Sequence, residues 1–120
     1  MISDLILDRE KNIVIWDFDG NTIKVKEVEV DSGTIIQDLG LVLLIDEKVK
    51  ENKKLLIYTA QGKKMIEANS PNGYHFSYVT THPKIEPAVV CYEDKSSGWQ
   101  DWYFSIDLKT GEFKKHGKAY

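Results

Sequence analysis

Three stretches of this 120-residue chain follow one plan. The first is LILDREKNIVIWDFDGNTIKV from Leu5, the second LLIDEKVKENKKLLIYTAQGKKMIEA from Leu43, and the third VVCYEDKSSGWQDWYFSIDLKTGEFKK from Val89. Each reads as an apolar strand ending at an acidic residue, a polar loop, a second strand, a glycine-containing turn and a third strand. The turn glycines Gly20, Gly62 and Gly111 lie 42 and 49 residues apart. Consecutive hairpins make an antiparallel meander the cheapest topology, and the chain shows none of the strand–helix alternation that builds a doubly wound sheet. The expected fold is therefore all-β, a single domain over residues 1–120. It should be an antiparallel meander of about nine or ten strands, arranged as a sandwich, barrel or propeller-like assembly, with at most a short helix.

The local signals fill in that plan. Ile13 to Phe18 is rich in β-branched and aromatic residues, Asp19-Gly20-Asn21 supplies a turn, and Thr22 to Val25 returns. Ile23 and Val25 are odd-numbered whereas Val28 and Val30 are even-numbered, so a bulge or bend is expected near Lys26-Glu27. Asp31-Ser32-Gly33 punctuates the chain before a short strand at Thr34-Ile35-Ile36. Leu41-Val42-Leu43-Leu44-Ile45 is a continuous apolar run, as suits a strand buried on both faces, with a short helix the alternative that periodicity leaves open. In Tyr74 to Thr80, alternation assigns Tyr74, Phe76 and Tyr78 to one face and His75, Ser77 and Val79 to the other.

A period near forty residues with several strands per unit is the signature of propeller blades. The strand–turn–strand segments resemble the blade hairpins of β-propeller proteins, including the quinoprotein type, over about two-thirds of the chain. The resemblance is one of pattern: there is no Gly-His…Trp-Asp pair and no complete calcium-loop motif. A closed propeller usually takes at least four blades, so three units imply a curved meander, barrel or sandwich.

Composition narrows the function classes. The formal net charge is −3. Residues 1–50 carry 11 acidic and 6 basic side chains, and residues 51–120 carry 8 and 10. Of 16 basic residues only Arg9 is arginine. Readers of phosphates and bases favour the planar guanidinium, so no nucleic-acid partner is expected. Cys91 is alone and sits in an apolar run, which excludes an intrachain disulfide and a multi-cysteine metal site. The start, MISDLILDRE, lacks a basic region and an apolar run of signal-peptide length, and no stretch approaches a membrane span. A soluble, cytoplasmic protein with no membrane contact is the expectation.

Candidate chemistry is sparse. Asp17-Phe18-Asp19 after an apolar strand looks like the first motif of haloacid-dehalogenase-type phosphatases. Those enzymes place threonine directly after Asp-Gly, whereas here Asn21 intervenes and displaces Thr22. Asp17, Asp19 and Asn21 could supply calcium oxygens, but an EF-hand loop starting at Asp17 would have Thr22 at its glycine position and Val28 at its glutamate position. His75, His82 and His116 are too far apart for a ligand set read by spacing. No catalytic residue, metal or cofactor is assigned.

The aromatic segment Gly98-Trp99-Gln100-Asp101-Trp102-Tyr103 carries the functional expectation. Two tryptophans three apart cannot share one face of a regular strand, so one of them, Trp99, is expected to leave the core. Exposed Trp and Tyr make interface hot spots. Trp99, Gln100, Asp101, Trp102 and Tyr103, with Asp17 and Asp19, are thus the candidate partner-binding residues of a non-enzymatic protein-binding module. Small acidic β proteins of this kind include immunity proteins, which cover a toxin's active site, and the acidic first half would suit a basic partner. The alternative is a small-molecule-binding barrel or sandwich lined by Trp16, Tyr58, Trp102 and Phe104. Unpaired edge strands would also permit a homodimer formed by sheet extension.

Overall fold

Leu41 to Ile45 and Leu55 to Tyr58, all buried, make up most of two central strands. Around them the computed structural model, which describes residues 1–93 and 100–119, is all-β. The strands are β1 (Ile2–Asp8), β2 (Ile13–Phe18), β3 (Asn21–Lys26), β4 (Val30–Ile36), β5 (Leu41–Asp46), β6 (Lys54–Thr59), β7 (Lys64–Asn69), β8 (Tyr74–Thr80), β9 (Ala88–Glu93), β10 (Asp101–Ile106) and β11 (Phe113–Ala119). One 3-10 turn, Gln37–Leu39, lies between β4 and β5. Three antiparallel meanders result, β1–β3, β4–β7 and β8–β11, and they are not closed into a barrel.

The eleven strands among the described residues exceed the nine or ten expected. Asp31-Ser32-Gly33, read from sequence as punctuation, runs inside β4. The polar triplet is tolerated because its small side chains meet neighbouring sheets. Ser32 Oγ accepts the Val79 N–H at 3.1 Å, and a Cβ on Gly33 would stand 3.0 Å from side-chain methyls of both Leu7 and Leu44. Each sequence repeat is one sheet, with β4 and β8 added as first strands of the second and third. The expected bend near Lys26-Glu27 is present: β3 stops at Lys26 and Glu27 has φ of 62°.

The sheets stack as three layers. Odd-numbered Leu41, Leu43, Ile45, Leu55 and Ile57 pack with Phe76, Val79, Val89, Cys91, Phe104 and Ile106 of the third sheet. Even-numbered Val42, Leu44, Leu56 and Tyr58 pack with Ile2, Val14 and Trp16 of the first sheet. Side chains alternate across a strand, so a middle layer with two covered faces requires apolar residues at both parities, which is what these runs supply.

Polar contacts lock the layers in register. Trp16, fully buried, donates its Nε1–H to the Ala60 carbonyl at 2.7 Å. The Gln37 side-chain amide engages both backbone groups of Ile2, accepting from its N–H at 3.2 Å and donating to its carbonyl. At the β6–β7 turn Gly62 has φ of 94°, and a Cβ there would lie 2.7 Å from Ile23 of the first sheet. Glycine thus serves both the turn conformation and the close approach.

The alternation expected for β8 breaks at a bulge. Phe76 pairs with Cys91 but Tyr78 pairs with Val90, which leaves Ser77 extra. Tyr78 is therefore thrown to the outer face, 37% exposed, while Val79 enters the core.

Substitution separates these contributions. Leu43→Ala and Leu44→Ala empty opposite cores, and each should cost about 2–5 kcal/mol in urea unfolding. Trp16→Phe should cost about 1–3 kcal/mol more than its lost contacts, because the Ala60 carbonyl would be left buried without a donor.

Candidate functional site

β10 carries most of the candidate residues and divides them between two faces. Phe104 and Ile106 point into the core shared with the middle sheet, so Trp102 points inward and Asp101, Tyr103 and Ser105 point outward. Trp102 is half-buried and engaged internally. Its Nε1–H donates to Glu93 Oε1 at 3.1 Å, and Lys115 Nζ stands 3.8 Å from the ring centroid, a cation–π geometry. Gln100 precedes the strand and donates from Nε2 to the Asp101 carbonyl at 2.7 Å. Trp99, the residue expected to leave the core, lies outside the described residues.

Tyr103 faces the outer side, where the bulge has also placed Tyr78. Both lie beside Val90 in the register. Val90 and Ala88 are fully buried although they face away from the middle sheet, so this outer surface has its own cover. The β8–β9 loop contributes to that cover: the His82 ring meets Tyr103 edge-on at 4.8 Å, and Ile85 is buried. Tyr92, next on β9 and opposite Asp101, packs against His75 at 5.3 Å. Three tyrosines and two histidines thus share one sheet face, with Asp101 among them. Asp101 Oδ1 is buried and has no hydrogen-bond donor among the described residues.

Burial and charge shape the acidities here. Desolvation first, then Tyr103 and Asp101, raise the Tyr78 phenol above its ordinary value. Burial first, then Asp101, pushes the Cys91 thiol up to about 12. That thiol is a core side chain, as its apolar context predicts.

Asp17 and Asp19 belong to the opposite outer layer. Asp19 and Gly20 both have positive φ, so the hairpin closes with a two-residue turn between the Phe18–Asn21 pair, as type I′ turns do. Asn21 therefore belongs to β3, and Thr22 pairs with Asp17, donating from Oγ1 to its Oδ1 at 3.2 Å. Asp19 Oδ1 accepts from the Met1 amino nitrogen at 3.0 Å. The two carboxylates serve the hairpin, and the middle sheet separates them from the tyrosine face. Among the described residues no three His, Cys, Asp or Glu side chains converge as a metal site would require.

The four aromatics expected to line one ligand cavity are split. Trp16 and Tyr58, 6.2 Å apart, occupy the first core, and Trp102 and Phe104 border the second. A single cavity lined by all four does not exist in this layered arrangement. A cleft of about 310 Å³ lies elsewhere, between Ile35 to Asp38 and the β8–β9 loop. No helix among the described residues is long and apolar enough to cross a membrane.

Tyr78, Tyr92 and His82 share this surface without standing out in the sequence. Period-two alternation hid Tyr78, because a bulge leaves no mark in composition. Tyr92 and His82 gained meaning only from cross-strand register and loop folding. No family model, curated protein or solved structure matches the chain.

The raised thiol acidity has a testable consequence. A thiol protonated more tightly in the folded state contributes stability that is complete below its ordinary value near 9 and is lost as pH rises toward about 12. Denaturant unfolding across that window should show a steeper loss for the natural chain than for Cys91→Ala. Native Cys91 should also resist a thiol reagent at pH 8 and react only on unfolding.

Proposed function

We propose that this chain is a non-catalytic protein-binding module whose contact surface is the outer face of the third sheet, built from Tyr78, Tyr92, Tyr103 and His82. The observation that carries the reading is the placement of three tyrosines on one sheet face, with Tyr78 thrown outward by a bulge. Tyrosine buries a large apolar ring at low entropic cost while its hydroxyl keeps a polar contact, which is why it dominates interface hot spots. Asp101 supplies the accompanying charge. Its carboxylate stands among the tyrosines on the outer side of β10, with Oδ1 buried and out of direct reach of a partner's cation.

The acidic first half of the chain builds the first sheet and the start of the second. Its field reaches the tyrosine face only across the layers and is screened over about 8–10 Å at physiological salt. The charge of Asp101, close to that face, therefore bears on a basic partner more than long-range steering does. A module of this size that binds by covering a surface would act by stoichiometric occlusion, as immunity proteins act on toxins.

The test is capture from native lysate with immobilised natural chain and a Tyr103→Ala/Tyr78→Ala double variant, followed by titration of the captured partner as a purified protein. The double substitution should weaken binding by about 2 kcal/mol or more, roughly thirtyfold or greater. Equal affinity of the two forms would overturn the reading.

A further inference from the structure

The outer face of the first sheet carries apolar side chains that the described residues leave partly open. β2 reads Ile13-Val14-Ile15-Trp16, apolar at both parities like the strands of the doubly covered middle sheet. Val14 and Trp16 enter the first core, while Ile13 and Ile15 belong to neither core and stay only half-buried. Ile6, directly opposite Ile15, is 54% exposed.

The cross-strand register arranges charge around these isoleucines. One row of the face runs Asp8, Ile13, Lys26, and the next runs Ile6, Ile15, Lys24. Carboxylate and ammonium of the first row are two strand spacings apart, about 10 Å. Asp8 Oδ1 accepts the Lys11 N–H, and neither Asp8 nor either lysine forms an ion pair among the described residues.

We propose that this face binds a second copy of the chain, sheet on sheet, about a two-fold axis running roughly along β2. Such an axis exchanges β1 and β3 while keeping each row in place. Lys26 then faces Asp8 of the second copy, and Asp8 faces the second copy's Lys26, so the unpaired charges pair twice. Ile13 and Ile15 meet their own counterparts at the centre, and Ile6 packs on the Lys24 stem. The face is self-complementary, as an isologous interface must be. Stacked sheets cross at about −30°, a rotation that long lysine side chains absorb.

Edge-to-edge pairing is blunted at three of the sheet edges. Of the six edge strands, β3, β7 and β11 carry Lys24 and Lys26, Lys64, and Lys114, Lys115 and Lys118, the residues with which sheets blunt their edges. Three strands of six or seven residues present a face of roughly 20 by 14 Å. Doubled over two copies that is roughly 600 Å², below the about 1,200 Å² at which standard interfaces begin, so the dimer is weak and dissociates on dilution. It leaves both tyrosine faces outward and stands independently of the partner-binding reading.

Sedimentation velocity over about a hundredfold range of concentration tests the proposal, because dimer population follows mass action. The natural chain should shift from monomer to dimer. Ile6→Lys and Lys26→Asp alter exposed side chains, and each should raise the dissociation constant about tenfold or more by setting like charges or a charge against the partner face. Asp8→Lys with Lys26→Asp should restore association. Tyr103→Ala should leave it unchanged. A chain that stays monomeric at the highest concentration, or a dimer undiminished by both single substitutions, overturns the proposal.

Discussion

The structure depends on a middle sheet that must be covered twice. Leu41 to Ile45 and Leu55 to Tyr58 bury both their faces, so neither outer sheet is an optional decoration. Removing the first would expose Val42, Leu44, Leu56 and Tyr58, and removing the third would expose Leu41, Leu43, Ile45, Leu55 and Ile57. Burial of a large aliphatic side chain is worth about 1.5–3 kcal/mol, so the two covers act as joint conditions of folding.

Double burial has a further consequence for register. In a one-faced sheet, a slip of one residue turns the apolar set to solvent and is thereby forbidden. β5 and β6 are apolar at both parities and lack that protection. Their alignment is fixed instead by contacts that tolerate no shift: Gly33 beneath Leu7 and Leu44, Gly62 against Ile23, and Trp16 hydrogen-bonded to Ala60. Small residues and one indole nitrogen thus do what hydrophobic alternation does elsewhere.

Much of this architecture was legible in the chain. The repeat of strand, turn glycine and strand marked the three meanders, and the unbroken apolar run at Leu41 marked a strand buried on both sides. Asp31-Ser32-Gly33 misled because its polarity looks like a turn, whereas its small size is what lets two sheets approach. The candidate surface was half legible. Asp101 and Tyr103, singled out from the aromatic segment, lie on the outer side of β10, whereas Trp102 is an inward residue held by Glu93 and Lys115. Tyr78 and Tyr92 join the surface through pairing register, which a single sequence does not reveal. Asp17 and Asp19, which catch the eye as chemistry, hold a type I′ hairpin and the start of the chain.

What the sequence alone determined was the secondary structure and its local order, because period-two alternation, turn glycines and hairpin spacing act over a few residues. Tertiary structure decided which faces are covered and which remain open. The same apolar-at-both-parities pattern occurs in β2, β5 and β9, yet β5 is covered by two sheets, β9 by one sheet and its own tyrosines and loop, and β2 by one sheet alone. Local chemistry specifies that a face is apolar. Only the stacking order of the layers specifies what lies against it.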